Sequence, residues 1–215
     1  MRKISITIVA VILCSILTVL IVKQIDFHTY KTSYKITEEQ IENRILINEI
    51  TNAINKDCFL KVFSDKEEAE KYIADYHRPT EYDEVVNELA RAELIKSILT
   101  SKGCALNYDE AKQTADREYQ RMKNEETSAE YYKSLKAVLN KHNITEDQYL
   151  NLTYDYAYDI YSETNFNAWF LKNKYKYDSD ARDPELVYAE EYPGKEEQIN
   201  AYLDKAMKKV KVIIK

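Results

Sequence analysis

Glycine is almost missing from this chain of 215 residues, which has 2, and proline is nearly as scarce, with 3. Sandwiches, barrels and nucleotide-binding folds need glycine at their tight turns, so the scarcity predicts a mainly helical architecture. Phosphate loops and dinucleotide fingerprints, which are built on glycine, are absent too. Histidine is rare: His28, His77 and His142 are scattered among charged residues at no spacing that suits zinc, and they read as surface side chains. No serine or cysteine has an identifiable base beside it, so no nucleophilic site is predicted. A basic stripe is missing as well. The formal charge is −6, or −8 without Arg2 and Lys3, which argues against nucleic acid as a partner. The chain is read as non-enzymatic, with no cofactor and no metal.

What is present begins with one long apolar run. Arg2 and Lys3 precede residues 4–22, nineteen positions without a formal charge, enough to span a hydrocarbon core. The reading is an uncleaved anchor over residues 1–23, with the basic flank inside and everything from Lys23 onward outside. Cleavage and lipidation at Cys14 are the rival readings. Leu20, Ile21 and Val22 offer no small-residue cleavage site, and Leu13 stands where a lipoprotein signal carries a small residue. Outside the run lie Cys58 and Cys104. An oxidising compartment permits a disulfide between them. Two buried thiols are the alternative, and nothing in the sequence brings the pair together.

Beyond a tether over 24–36, with a short strand near 32–36, helix starts recur. Thr37 and Gln40 have capping-box spacing, and Ile41, Ile45, Ile50 and Ile54 follow on one face. That helix is predicted to end near Asn55, with 58–63 a strand or buried turn. A second helix spans about 65–76. A central helix over 85–99 carries Val85, Leu89, Ala92 and Ile95 and is stopped by Gly103. Asn107 with Glu110, Thr127 with Glu130, and Thr145 with Gln148 open three more.

The last of these is rich in tyrosine, a residue that occurs 19 times in the chain and, with a hydrophobic fraction of 45%, excludes a disordered polypeptide. Tyr154, Tyr158 and Tyr161 share one face, Tyr149 and Tyr156 another. Such rings either complete a core or line a groove, since tyrosine joins an apolar ring to a hydroxyl that hydrogen-bonds. Asp155, Asp159 and Glu163 form a row expected to be a solvated face opposite the tyrosines. Residues 174–194 lack periodicity and read as a connection. Then 195–215 return as a helix bearing Ile199, Tyr202, Leu203 and Ala206, followed by a strand with Val210, Val212 and Ile214 alternating.

Five stretches together resemble the amino-terminal domain of the SurA and PrsA class of exported foldases: Lys35-Ile-Thr-Glu-Glu-Gln40, Asn87-Glu-Leu-Ala-Arg-Ala-Glu-Leu-Ile95, Asn107-Tyr-Asp-Glu-Ala111, Asn143-Ile-Thr-Glu-Asp-Gln-Tyr149, and the returning helix and strand from Tyr202. Their order and spacing carry the likeness over about 35–161 and the last twenty residues. Members of that class often insert a prolyl-isomerase domain, and 174–194 are too few for one, so isomerase activity is not implied. The resemblance implies a SurA N-terminal-like helical domain over 37–173, completed by 195–215, behind a transmembrane helix. The implied function is a membrane-anchored, extracytoplasmic, chaperone-like module that binds unfolded or extended polypeptide. The alternative is a dedicated receptor, sensor or assembly factor for one extracytoplasmic protein. Tyr154, Tyr158, Tyr161, Trp169 and Leu89 are the candidate peptide-binding residues.

Overall fold

The computed structural model describes residues 30–125, 128–175 and 194–215. In order these form strand β1 (Ser33–Ile36), helices α1 (Glu38–Val62), α2 (Lys66–Asp75), α3 (Tyr82–Ser101), α4 (Tyr108–Asn124), α5 (Ala129–His142), α6 (Glu146–Tyr175) and α7 (Glu196–Met207), and strand β2 (Lys211–Ile214).

Local chemistry sets most of the helix boundaries. Thr37 and Gln40 make a reciprocal capping box at the start of α1, and Thr145 and Gln148 do the same for α6. Asp65 accepts from the first backbone N–H groups of α2, and Asn107 from those of α4. After α3, Gly103 takes φ 76°. The Cys104 N–H then reaches the Leu99 carbonyl and the Gly103 N–H that of Thr100, the paired bonds that close a helix through a left-handed residue. Asn143, at φ 55°, ends α5 in the same conformation.

Two boundaries differ from expectation. Helix α1 runs on to Val62, so 58–63 are neither strand nor turn. Cys58 continues the stripe one turn past Ile54, Lys61 pairs with Asp57 at 2.6 Å along the same helix, and no glycine or proline intervenes. The start expected at Thr127 falls outside the described residues, and α5 begins at Ala129 without a side-chain cap.

Three apolar clusters make the core. One joins Leu94, Ile98 and Leu99 of α3 to Phe166 and Phe170 of α6, Ile199 and Leu203 of α7, and Tyr30 and Tyr34. A second packs Ile47, Ile50 and Ile54 of α1 against Leu135 and Leu139 of α5, with Tyr119 of α4 and Tyr149 of α6. The third holds Ile36, Ile41, Val85 and Leu89, where β1 and the starts of α1 and α3 meet. β1 and β2 pair in parallel, with Ser33 opposite Lys211 and Ile36 opposite Ile214. Alternation is clean only in β1, whose Tyr34 and Ile36 are buried; Ile214 of β2 is exposed. Cys58 lies in the second cluster and Cys104 against the first, and both are free thiols, so the disulfide is not formed.

The membrane-spanning expectation is corrected. Residues 4–22 lie outside the described residues, and no helix among the described residues is long and apolar enough to cross a membrane. Even α6, at 30 residues the longest of them, carries Asp155, Asp159 and Glu163 through its middle. The fold is a mainly α domain with a small two-stranded sheet. The transmembrane helix, the single-pass membrane localisation, the extracytoplasmic placement and membrane attachment as a partner interaction have no support in it.

Candidate functional site

The three clusters leave a polar layer where α1, α3 and α6 converge. Its centre is Arg44, a charge on the stripe between Ile41 and Ile47, only 5% exposed. One guanidinium nitrogen donates to Glu88 Oε1 at 2.6 Å and the other to Asp159 Oδ2. Lys96 reaches the remaining Asp159 oxygen at 2.9 Å and also pairs with Glu93. Asn48 Nδ2 donates to the second Glu88 oxygen at 2.9 Å and to the Pro79 carbonyl at 2.8 Å. Burial works against the charges on Arg44 and Lys96. The carboxylates of Asp159 with Glu88, and of Asp159 with Glu93, outweigh it and hold both pKa values above their ordinary level.

Above this layer opens a cleft of about 600 Å³. Its walls include Ile36, Leu46, Leu89, Ile144 and Leu152, its floor Arg44, Lys96 and Asp159, and its rim Gln40, Asn43, Gln148, Asn151 and Asp155. Gln40 and Gln148 are committed to helix caps through their carbonyl oxygens. The side-chain amides of Asn43 and Asn151 are exposed and make no hydrogen bond among the described residues.

The five candidate contact residues separate. Tyr158 and Leu89 line the cleft. Tyr158 stands edge-on to Tyr108, ring centres 5.2 Å apart, with the Lys96 ammonium over its face. Tyr154 and Tyr161 turn instead to α4, donating to Asp116 at 2.8 Å and to Glu110 at 3.0 Å. Trp169 packs on the first cluster, 5.7 Å from Phe166. Between α4 and α6 the tyrosines thus serve as hydroxyl donors to carboxylates. Tyr108 completes the set by donating to Asp155 at 2.9 Å, and burial followed by that bond pushes its pKa up to about 12. Further along, Tyr119 and Tyr132 both donate to Glu146 at the start of α6.

The acidic row is a solvated face only in part: Asp155 and Glu163 are exposed, whereas Asp159 is not. Asp159 is 12% exposed between two cations, Asp155 receives Tyr108, and only Glu163 stands in solvent without such a role. Sequence reading missed Arg44, Asn48, Glu88, Lys96 and Tyr108. One signal was available: Arg44 sits three residues after Ile41 and three before Ile47, a charge inside an apolar stripe that has to find a buried partner. Its partners, distant in sequence, had no such mark.

The charges of the layer are paired with one another, whereas Asn48 Oδ1 is buried without a hydrogen-bond partner. Both of its cations are bonded to carboxylates, and no group of three or more potential ligands arranged to hold a metal occurs among the described residues. Ser134 is buried and donates to Asp57. Comparison with family models, curated proteins and solved structures finds no match to this chain. The comparisons lend no support to a chaperone-like SurA-type identity, and its membrane-anchored part is corrected, since no helix among the described residues is long and apolar enough to cross a membrane.

Proposed function

We propose that the described domain is a non-catalytic docking domain whose cleft holds a short extended segment of another polypeptide. One observation carries the reading: both cations of the cleft floor are already paired with carboxylates, while two amides on its rim, Asn43 and Asn151, remain uncommitted. An anionic small molecule would have to break a buried ion pair to reach Arg44 or Lys96, at a cost of several kcal/mol, roughly 3–5. A peptide main chain offers N–H and C=O groups that match the two side-chain amides, and its alternate side chains find Leu46, Leu89 and Leu152. The volume suits a few residues rather than a folded partner. The motifs that resemble the SurA and PrsA class agree with peptide contact, but the cleft stands without them. The reading does not extend to membrane attachment or to broad chaperone action.

The test is fluorescence anisotropy of the full chain with labelled decapeptides of alanine, valine and glutamine. Replacing both Asn43→Ala and Asn151→Ala removes only exposed amides from helix surfaces, so the thermal melt is expected to stay within about 0.5 kcal/mol of the parent. Affinity is expected to fall about tenfold, the worth of one or two hydrogen bonds. Absent binding by the parent, or binding indifferent to the double substitution, refutes the proposal.

A further inference from the structure

The cleft has one carboxylate that its own cations do not reach. Arg44 and Lys96 are taken up by Asp159, Glu88 and Glu93, whereas Asp155 stands exposed on the rim and pairs with no cation among the described residues. What it does have is the Tyr108 hydroxyl on Oδ1 at 2.9 Å, which fixes the carboxylate and leaves Oδ2 open. Tyr108 is itself 40% exposed, its ring held edge-on by Tyr158. Rings on this face already attract ammonium groups from the chain: Lys96 lies 5.2 Å from the centre of Tyr158, and Lys112 4.6 Å from that of Tyr154. An oriented carboxylate beside an exposed aromatic ring is the chemistry that recognises an alkylammonium or guanidinium group.

We propose that Asp155 and the ring of Tyr108 form a cation subsite at the mouth of the cleft, so that the bound segment carries a lysine or arginine there. The inference rests on the reading of the cleft as a polypeptide site. Asp155 supplies the charge and Tyr108 both orients it and covers the aliphatic stem of the incoming side chain. Selection follows from the closed floor: with the other charges already paired, this carboxylate alone among those lining the cleft rewards a charged residue. The net charge of −6 adds a long-range bias of the same sign.

The experiment uses the full chain and two labelled decapeptides of alanine, valine and glutamine, identical but for one central position. One has lysine there and the other norleucine, which keeps the stem and removes the charge. At low salt the lysine peptide is expected to bind about fivefold tighter, the combined effect of one exposed ion pair and one cation–ring contact. In Asp155→Asn the lysine peptide is expected to fall to the level of the norleucine peptide, and added salt is expected to narrow the gap in the parent. Equal binding of the two peptides by the parent overturns the subsite while leaving the cleft reading in place. Failure of both to bind overturns the two together. A preference for lysine that survives Asp155→Asn with an unaltered melt assigns the cation to another carboxylate and refutes this one.

Discussion

Replacing Arg44 by methionine tests whether the polar layer is held together by its central cation. The substitution keeps the stem and deletes the guanidinium, leaving Glu88 and Asp159 to share a site that is largely out of water. Removing one member of a buried ion pair costs about 3–5 kcal/mol where the survivor has no other partner. Here both survivors do: Asp159 keeps Lys96 at 2.9 Å and Glu88 keeps Asn48 at 2.9 Å. The expected loss is therefore at or below the bottom of that range, about 2–3 kcal/mol. For a domain of this size that lowers Tm by about 4–12 °C. Urea unfolding followed by circular dichroism measures it directly, with an unchanged slope showing that the folded state is equally compact. Adding Glu88→Gln to Arg44→Met removes the carboxylate left without a cation, and the double variant is expected to be less destabilised than the sum of the two single variants by about 1 kcal/mol or more. A loss below about 0.5 kcal/mol for Arg44→Met would place it with ordinary surface substitutions and refute the idea that this ion cluster ties the three helices.

Two further expectations concern other parts of the molecule. Leu203 is fully buried where α7 meets α3 and α6, so Leu203→Ala is expected to cost about 2–5 kcal/mol, and an unchanged urea midpoint would show that α7 is independent of the first cluster. Tyr108 has its pKa raised from 10.0 to about 12, so the folded state holds a proton that the unfolded state releases first. Stability then falls as pH rises from about 10 to about 12 and this contribution levels off above, and Tyr108→Phe is expected to flatten that part of the alkaline stability curve, with an identical curve counting against the Tyr108–Asp155 bond.

The helices were legible in the sequence because their signals are local. Thr37 and Gln40, Asn107, and Thr145 and Gln148 act within one turn, and each is a side-chain cap in the fold. The end of α1 was misread because Cys58 and Phe59 look equally apolar in a strand or a helix, and only length arbitrates between them. The cleft was not legible. It depends on how α1, α3 and α6 cross, and its components, Arg44, Lys96 and Asp159, are set together by packing between segments far apart in sequence. Tyrosine spacing marked a helix with two aromatic faces, set either in a core or along a groove. It did not reveal that Tyr154 and Tyr161 would be taken by carboxylates of α4, whereas Tyr158 would be left to the cleft. A hydroxyl's partner lies outside any periodicity.

The parallel pairing of β1 with β2 has a consequence for the order of folding. Ser33 meets Lys211 across nearly the whole described chain, and closing so long a loop costs on the order of 4–5 kcal/mol in chain entropy. Four residue pairs of an isolated ribbon do not repay that, so the strands zip only when Ile199 and Leu203 dock on α3 at the same time. The helices around Ile50, Leu135 and Tyr149 are joined by shorter connections and are free to consolidate first. During synthesis, Tyr34 and Ile36 wait with one edge unpaired until residues 211–214 emerge, an interval in which another extended chain can take the place of β2.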